Sequence, residues 1–134
     1  NTYSDEQKSQ FVSDAENYAK KHQWNYEVLE GGLVVEVMKK GPGTEKIQSG
    51  SEVELLYKGT LTNGRIFDQT EPGKPFKSKM KGLIAGFQLG LLNHVAGTKL
   101  RMVVPPQLGY GDDALDKIPA NSTLVFEISV EKVY

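Results

Sequence analysis

With 134 residues the chain is long enough for one domain with a real core and short for two. A hydrophobic fraction of 38% with 25% charged residues reads as soluble and globular, and a net charge of −1 leaves no basic excess to release counterions from nucleic-acid phosphates. No apolar run approaches the roughly 20 residues a membrane span needs, and with no cysteine there is neither a disulfide nor a thiolate site.

The chain starts at Asn1 without a start methionine or a secretory signal, as a mature or trimmed form would. Residues 4–22 carry Phe11, Ala15, Tyr18, Ala19 and His22 at helical spacing. Ser4 with Gln7 fits a capping box at the start of that helix. Trp24 and a short apolar run from Tyr26 to Leu29 follow, and Gly31-Gly32 turns into a strand from Leu33 to Met38. Gly41-Pro42-Gly43 ends that strand.

From Val53 to Tyr57, apolar residues alternate with Glu52, Glu54 and Lys58, the period of a strand with one buried face. Asn63-Gly64 then suggests a two-residue type I′ hairpin turn. The returning strand brings Phe67 and Asp68 close to Tyr57. After a Pro/Gly-rich loop, Glu71 to Pro75, comes Phe76. Gly82 to Leu92 reads as a short helix presenting Leu83, Ile84, Phe87 and Leu91 on one face. Leu100, Met102 and Val104 alternate with Lys99, Arg101 and Val103 in a strand stopped by Pro105-Pro106. Leu124, Phe126, Ile128 and Val130 form the last strand, with Glu127, Ser129 and Glu131 facing water.

These patterns predict an α+β domain in which an antiparallel sheet covers one short helix with one face and exposes the other. Residues 1–30 read as an N-terminal helical extension and residues 31–134 as the principal domain.

Conventional catalytic apparatus is absent. There is no Gly-rich phosphate cradle, no His-Glu-x-x-His pattern and no cysteine nucleophile. His94 lacks the nucleophile-elbow context of a triad and reads as a helix-end residue, where a cation suits the dipole. Asn121-Ser122-Thr123 matches a glycosylation sequon, a pattern too short to weigh. What the chain does offer is an aromatic cluster with one carboxylate, the start of an apolar pocket with a polar rim.

Tyr57-x-Gly59, Asn63-Gly64, Phe67-Asp68, Gly73-x-Pro75-Phe76, Leu83-Ile84, Gly90, Gly97, Pro106, Tyr110-Gly111, Ile118-Pro119 and Thr123-Leu-Val-Phe126 stand in the order and approximate spacing of one family. Over residues 33–134 the chain resembles the FKBP-type peptidyl-prolyl cis–trans isomerases. The resemblance implies an antiparallel half-barrel of five to six strands wrapped around a short helix, with a pocket between them. It implies catalytic roles for Tyr57, Phe67, Asp68 and Tyr110, and substrate binding by Phe76, Leu83, Ile84, Phe87, Ile118 and Phe126. Phe87 would form the floor, Ile84 would offer its backbone N–H, and Ile118 would lie on a flap. No cofactor or metal is implied. The implied partners are proline-containing polypeptides and macrolide inhibitors such as rapamycin.

The sequence departs from the family at two places. Many close relatives carry Trp at the position of Phe87, so the floor loses area and an indole N–H. The segment from Asp112 to Lys117 is about one residue shorter than in small single-domain relatives, and it is acidic. Asp112, Asp113 and Asp116 would stand at the pocket mouth and favour substrates with Lys or Arg beside the proline.

The implied activity is catalysis of X-Pro rotation in protein chains, a folding catalyst. The alternative is a non-catalytic module of the same family that captures proline peptides as a chaperone or scaffold, and a hydrolase is a distant third. The N-terminal helix either docks on its own domain or forms a homodimer, as in the macrophage-infectivity-potentiator-like branch. That branch is extracytoplasmic, which inclines the compartment towards a bacterial periplasm or cell surface without fixing it.

Overall fold

A computed structural model describes residues 2–134. Helix α1, Asp5–Lys21, starts on a complete capping box: Ser4 Oγ accepts the Gln7 N–H at 3.1 Å, and Gln7 Oε1 accepts the Ser4 N–H at 2.9 Å. The strands are β1 (Glu27–Val28), β2 (Val34–Lys39), β3 (Glu52–Leu61), β4 (Ile66–Gln69), β5 (Phe76–Lys79), β6 (Lys99–Val104) and β7 (Leu124–Val133), with helix α2 at Ala85–Leu91 between β5 and β6. They form one antiparallel sheet in the order β1-β2-β6-β7-β3-β4, and β5 pairs with the first half of β3. This is the expected α+β class.

The long pair β3–β7 is the spine of the sheet. Leu55 opposes Val130, Tyr57 opposes Ile128, Gly59 opposes Phe126 and Leu61 opposes Leu124. These side chains share one face because strand residues alternate. There they pack with Leu33, Ile47, Met80, Leu100, Met102 and the buried residues Phe87 and Leu91 of α2. The core therefore lies between the sheet's inner face and α2, and the sheet's edge beside α2 is where a pocket can open.

The outer face is not wholly wet. Ala15 and Ala19 of α1, with Trp24, cover Val34, Val103 and Val125. The helix thus docks on its own sheet, and its two small buried residues, four apart, let it approach closely. Phe11 and Tyr18 flank this contact half-buried, while His22 is exposed and stacks on Tyr18 at 4.1 Å. β1, inside the N-terminal extension, pairs with β2 at the sheet edge.

One polar cluster locks this docking. Arg101 donates to Glu36 Oε1 from Nε at 3.0 Å and Nη2 at 2.7 Å, the same oxygen accepts the Asn25 N–H at 3.1 Å, and the guanidinium lies 4.3 Å from the Trp24 ring centre. The pair is half-shielded from water, so its hydrogen bonds are worth more than a surface ion pair. Arg101→Ala is expected to lower unfolding stability by about 2 kcal/mol, through the lost charge-assisted bonds and the uncovered indole. Urea unfolding checks this: the midpoint should fall while the denaturant slope stays constant.

Three local expectations are corrected. The hairpin after β3 is not type I′, because Gly64 has φ 89° while Asn63 is not in the left-handed region. Instead Gly64 N–H bonds to Leu61 O at 3.0 Å and Leu61 N–H to Arg65 O at 2.9 Å, the arrangement of a three-residue loop with glycine in the left-handed place. The short helix starts later than Gly82: Met80–Gly82 is a single 3-10 turn, Leu83 is extended, and Ile84 is the N-cap of α2. His94 is not a helix-end cation, because half-burial lowers its pKa and favours neutral imidazole.

Candidate functional site

A hollow of about 180 Å³ opens between the inner face of the sheet and the start of α2. Its lining is Tyr57, Phe67, Asp68, Phe76, Gly82, Leu83, Ile84, Phe87, Tyr110 and Phe126. Every expected site residue except Ile118 is therefore here. Ile118 is buried beside it and lines a second hollow, which shares Phe67, Asp68 and Tyr110 with the first and adds Leu115, Asp116 and Lys117.

The deepest rings come from the spine and the helix. Phe126 on β7 and Phe87 on α2 are buried and meet edge-on at 4.6 Å, and Phe67 on β4 meets Phe126 edge-on at 5.5 Å. Tyr57 on β3 touches this group from above, with Phe76, Phe87 and Phe126 at 6.0, 6.1 and 6.3 Å. Edge-to-face contacts of this kind hold aromatic walls in fixed orientation. Phe76 and Tyr110 remain exposed at the rim, available to a bound molecule.

Tyr57 is braced on both sides. Its N–H donates to Thr70 Oγ1 at 3.0 Å, its carbonyl accepts the Thr70 N–H at 2.9 Å, and its hydroxyl donates to Asp68 Oδ2 at 2.6 Å. Burial and the hydrogen bond to the Asp68 carboxylate push the Tyr57 phenol well above its ordinary value. Burial first, then the Asp68 charge, raises Tyr110 as well. Both hydroxyls therefore stay protonated as donors at any physiological pH.

The segment leading into α2 is fixed by its backbone. Leu83 N–H donates to Met80 O at 3.1 Å, Gln88 Nε2 donates to Leu83 O at 2.7 Å, and Ile84 O accepts the Gln88 N–H at 3.1 Å. Ile84 N–H makes no hydrogen bond among the described residues. Gly82 lines the hollow too, and Thr70 supports it through its hydroxyl and N–H on the Tyr57 backbone; neither stands out in the sequence, because contacts to backbone leave no residue pattern.

The acidic loop is placed differently from the expectation. Asp112 and Asp113 are not in the lining of either hollow; burial first, and then their charges, raise the pKa of Tyr3 in the N-terminal segment. Only Asp116 stands beside the pocket, with Lys117 next to it to offset the charge. The expected preference for basic substrates loses its support.

A wider hollow of about 440 Å³ lies on the outer face, bordered by Met38, Leu56, Pro72 and Lys99. Its charges are largely paired, Lys58 with Glu127 at 3.7 Å and Arg101 with Glu36. Tyr57 is the one aromatic residue in its lining, against six in the smaller hollow, so the smaller hollow is the better candidate. Among the described residues no helix is long and apolar enough to cross a membrane, and there is no cluster of three metal-ligating side chains.

An antiparallel sheet curled over a short helix thus leaves an aromatic hollow rimmed by protonated tyrosines and a free N–H. Residues 43–131 match the family described as FKBP-type peptidyl-prolyl cis-trans isomerase, and the chain belongs to that family. It is 42% identical over 113 residues to FK506-binding protein 3 of Candida albicans, covering 83% of this chain and 26% of that protein. The crystal structure of FkpA from Escherichia coli superposes with a TM-score of 0.77 at 33% identity, over 94% of this chain and 62% of that one. A peptidyl-prolyl isomerase structure from Pseudomonas syringae gives 0.78 at 27% identity, over 99% of this chain and 98% of that one. The chain thus spans about a quarter of the length of such curated relatives as the Candida protein.

Proposed function

We propose that this chain is a peptidyl-prolyl cis–trans isomerase that accelerates rotation about X-Pro bonds in polypeptides, with the proline seated against Tyr57, Phe67, Phe87 and Phe126. The observation that carries this reading is the aromatic hollow with hydroxyl donors and the Ile84 N–H at its edge. In this reading residues 31–134 form the isomerase domain and residues 1–30 an extension to it.

The barrier to rotation is about 18–20 kcal/mol because amide resonance must be broken. The twisted transition state separates less charge than the planar amide. Transfer from water into an apolar hollow therefore disfavours the ground state more than the transition state. Tyr110 hydroxyl and Ile84 N–H would each hold a substrate carbonyl, fixing the chain on one side of the rotating bond. Asp68 orients Tyr57 and orders the rim. No proton leaves the substrate, so the lack of a histidine dyad suits the chemistry.

A protease-free assay of peptides with an apolar residue before proline tests the reading. Faster exchange than the uncatalysed control, unchanged by chelator and inhibited by rapamycin, is expected. Rates equal to the control across such peptides would leave a binding module instead. The apolar stripe of α1 is covered by its own sheet, which favours docking in cis over a helix-mediated homodimer.

The pH profile gives an independent check. A raised phenol pKa means that the folded protein keeps protons that the unfolded chain loses near pH 10. The stability from these tyrosines is present below that value and is lost as pH rises beyond it. Turnover should be flat from about pH 7 to pH 9, since neither hydroxyl titrates there. A fall in turnover with an apparent pKa below 9 would rule out a catalytic role for these phenols as donors.

A further inference from the structure

The N-terminal segment reaches the loop that follows Tyr110 and edges the second hollow. Tyr3 donates its hydroxyl to Asn121 Oδ1 at 2.6 Å, and its ring meets Phe11 of α1 edge-on at 5.0 Å. Among the described residues Asn121 is one of three non-glycine residues with left-handed φ, at 62°. Its own N–H donates to Gly111 O at 2.8 Å.

That backbone bond closes the stem of a loop from Gly111 to Asn121. Within the loop, Leu115 and Ile118 exchange backbone hydrogen bonds, and only Ile118 has a buried side chain between the stem residues. Tyr110 stands immediately before the stem, while Leu115, Asp116, Lys117 and Ile118 line the second hollow. The loop has little packing of its own, so its position depends on its stem. An asparagine in the left-handed region is tolerated but carries some strain. A hydrogen bond to its side chain helps hold it there.

We propose that Tyr3 is a positioning residue for prolyl isomerisation: by holding Asn121 in the turn that closes the loop stem, it fixes where Tyr110 stands at the substrate hollow and Ile118 beside it. The inference rests on the proposed activity and goes beyond it, because it assigns the N-terminal extension a part in the site. Burial and the nearby Asp112 and Asp113 raise the Tyr3 pKa, so the phenol remains a donor at neutral pH.

Four variants test it: Tyr3→Phe, Asn121→Gly, the two combined, and Tyr26→Phe as control. Tyr26 donates to Glu16 of α1 at 2.8 Å, so it holds the same helix to the segment entering β1 without touching the loop. Tyr3→Phe keeps the ring on Phe11 and loses only the hydroxyl. It is expected to lower kcat/KM by about two- to fivefold, mainly through KM, with little change in melting temperature. Asn121→Gly keeps the left-handed turn without the acceptor and should give a similar loss. The double variant should lose no more than either single one, because the same contact is removed. Exchange of the Asn121 amide should quicken in Tyr3→Phe while amides of β6 are unchanged.

Losses that multiply in the double variant, an equal loss in Tyr26→Phe, or unchanged Asn121 exchange would each overturn the proposal. If the parent protein fails to isomerise peptides, the activity reading falls, and amide exchange still decides whether Tyr3 holds the loop.

Discussion

Replacing Phe67 with alanine is expected to lower kcat/KM by roughly 30- to 100-fold, equivalent to about 2–3 kcal/mol of transition-state binding. Phe67 lines both hollows, with Asp68 and Tyr110, and it rests edge-on against Phe126. Its loss would widen both hollows, let water reach the proline and free the Phe126 ring to turn. A water-filled site loses the difference in solvation between planar and twisted amide that the mechanism needs. Because Phe67 is only half-buried, the fold should suffer less than for a fully buried phenylalanine, by about 1–2 kcal/mol. Steady-state isomerisation with thermal unfolding of the same sample checks both parts. Full turnover and unaltered rapamycin sensitivity in Phe67→Ala would mean that proline sits elsewhere.

What can be read from the chain divides by how local the cause is. The capping box at Ser4 and Gln7 and the alternation in β3 and β7 are local, and the structure matches them. Periodicity misplaces the start of α2 because Leu83 and Ile84 extend the apolar period of a helix they precede. Hydrogen bonds to Met80 O and from Gln88, invisible to a pattern, hold them extended. β5 hides behind a loop in the sequence, since Phe76-Lys-Ser-Lys79 has no alternating apolar face; it is a strand because it completes β3.

The helix's docking surface does leave a readable trace. Val103 and Val125 stand at outward positions of β6 and β7, and a strand facing only water has little reason to place valine there. The cluster of expected site residues comes from the family resemblance, and periodicity places those aromatics only on a buried face. Nothing in the spacing of Asp112 and Asp113 shows that the loop carries them towards Tyr3 and away from the hollow.

Gly59→Ala is expected to damage the site as well, if less than Phe67→Ala, although glycine has no side chain to offer a substrate. Gly59 sits opposite Asp68 on β4 and Phe126 on β7. A Cβ there would lie 2.5 Å from Phe67 Cζ and 2.8 Å from Phe126 Cε1, far inside van der Waals contact. Neither ring can yield freely, since each is held edge-on by the other. The wall must therefore shift, at a cost of about 1–3 kcal/mol in stability and roughly tenfold or more in kcat/KM. Gly64→Ala separates this effect from generic glycine loss. Gly64 has φ 89°, and a methyl group on its Cα would meet nothing within 4 Å, so alanine there strains the hairpin by about 1–2 kcal/mol without touching the hollow. Stability should fall in both variants, and turnover per folded molecule only in Gly59→Ala. Equal turnover in the two would show that the Phe67–Phe126 wall does not shape the transition state.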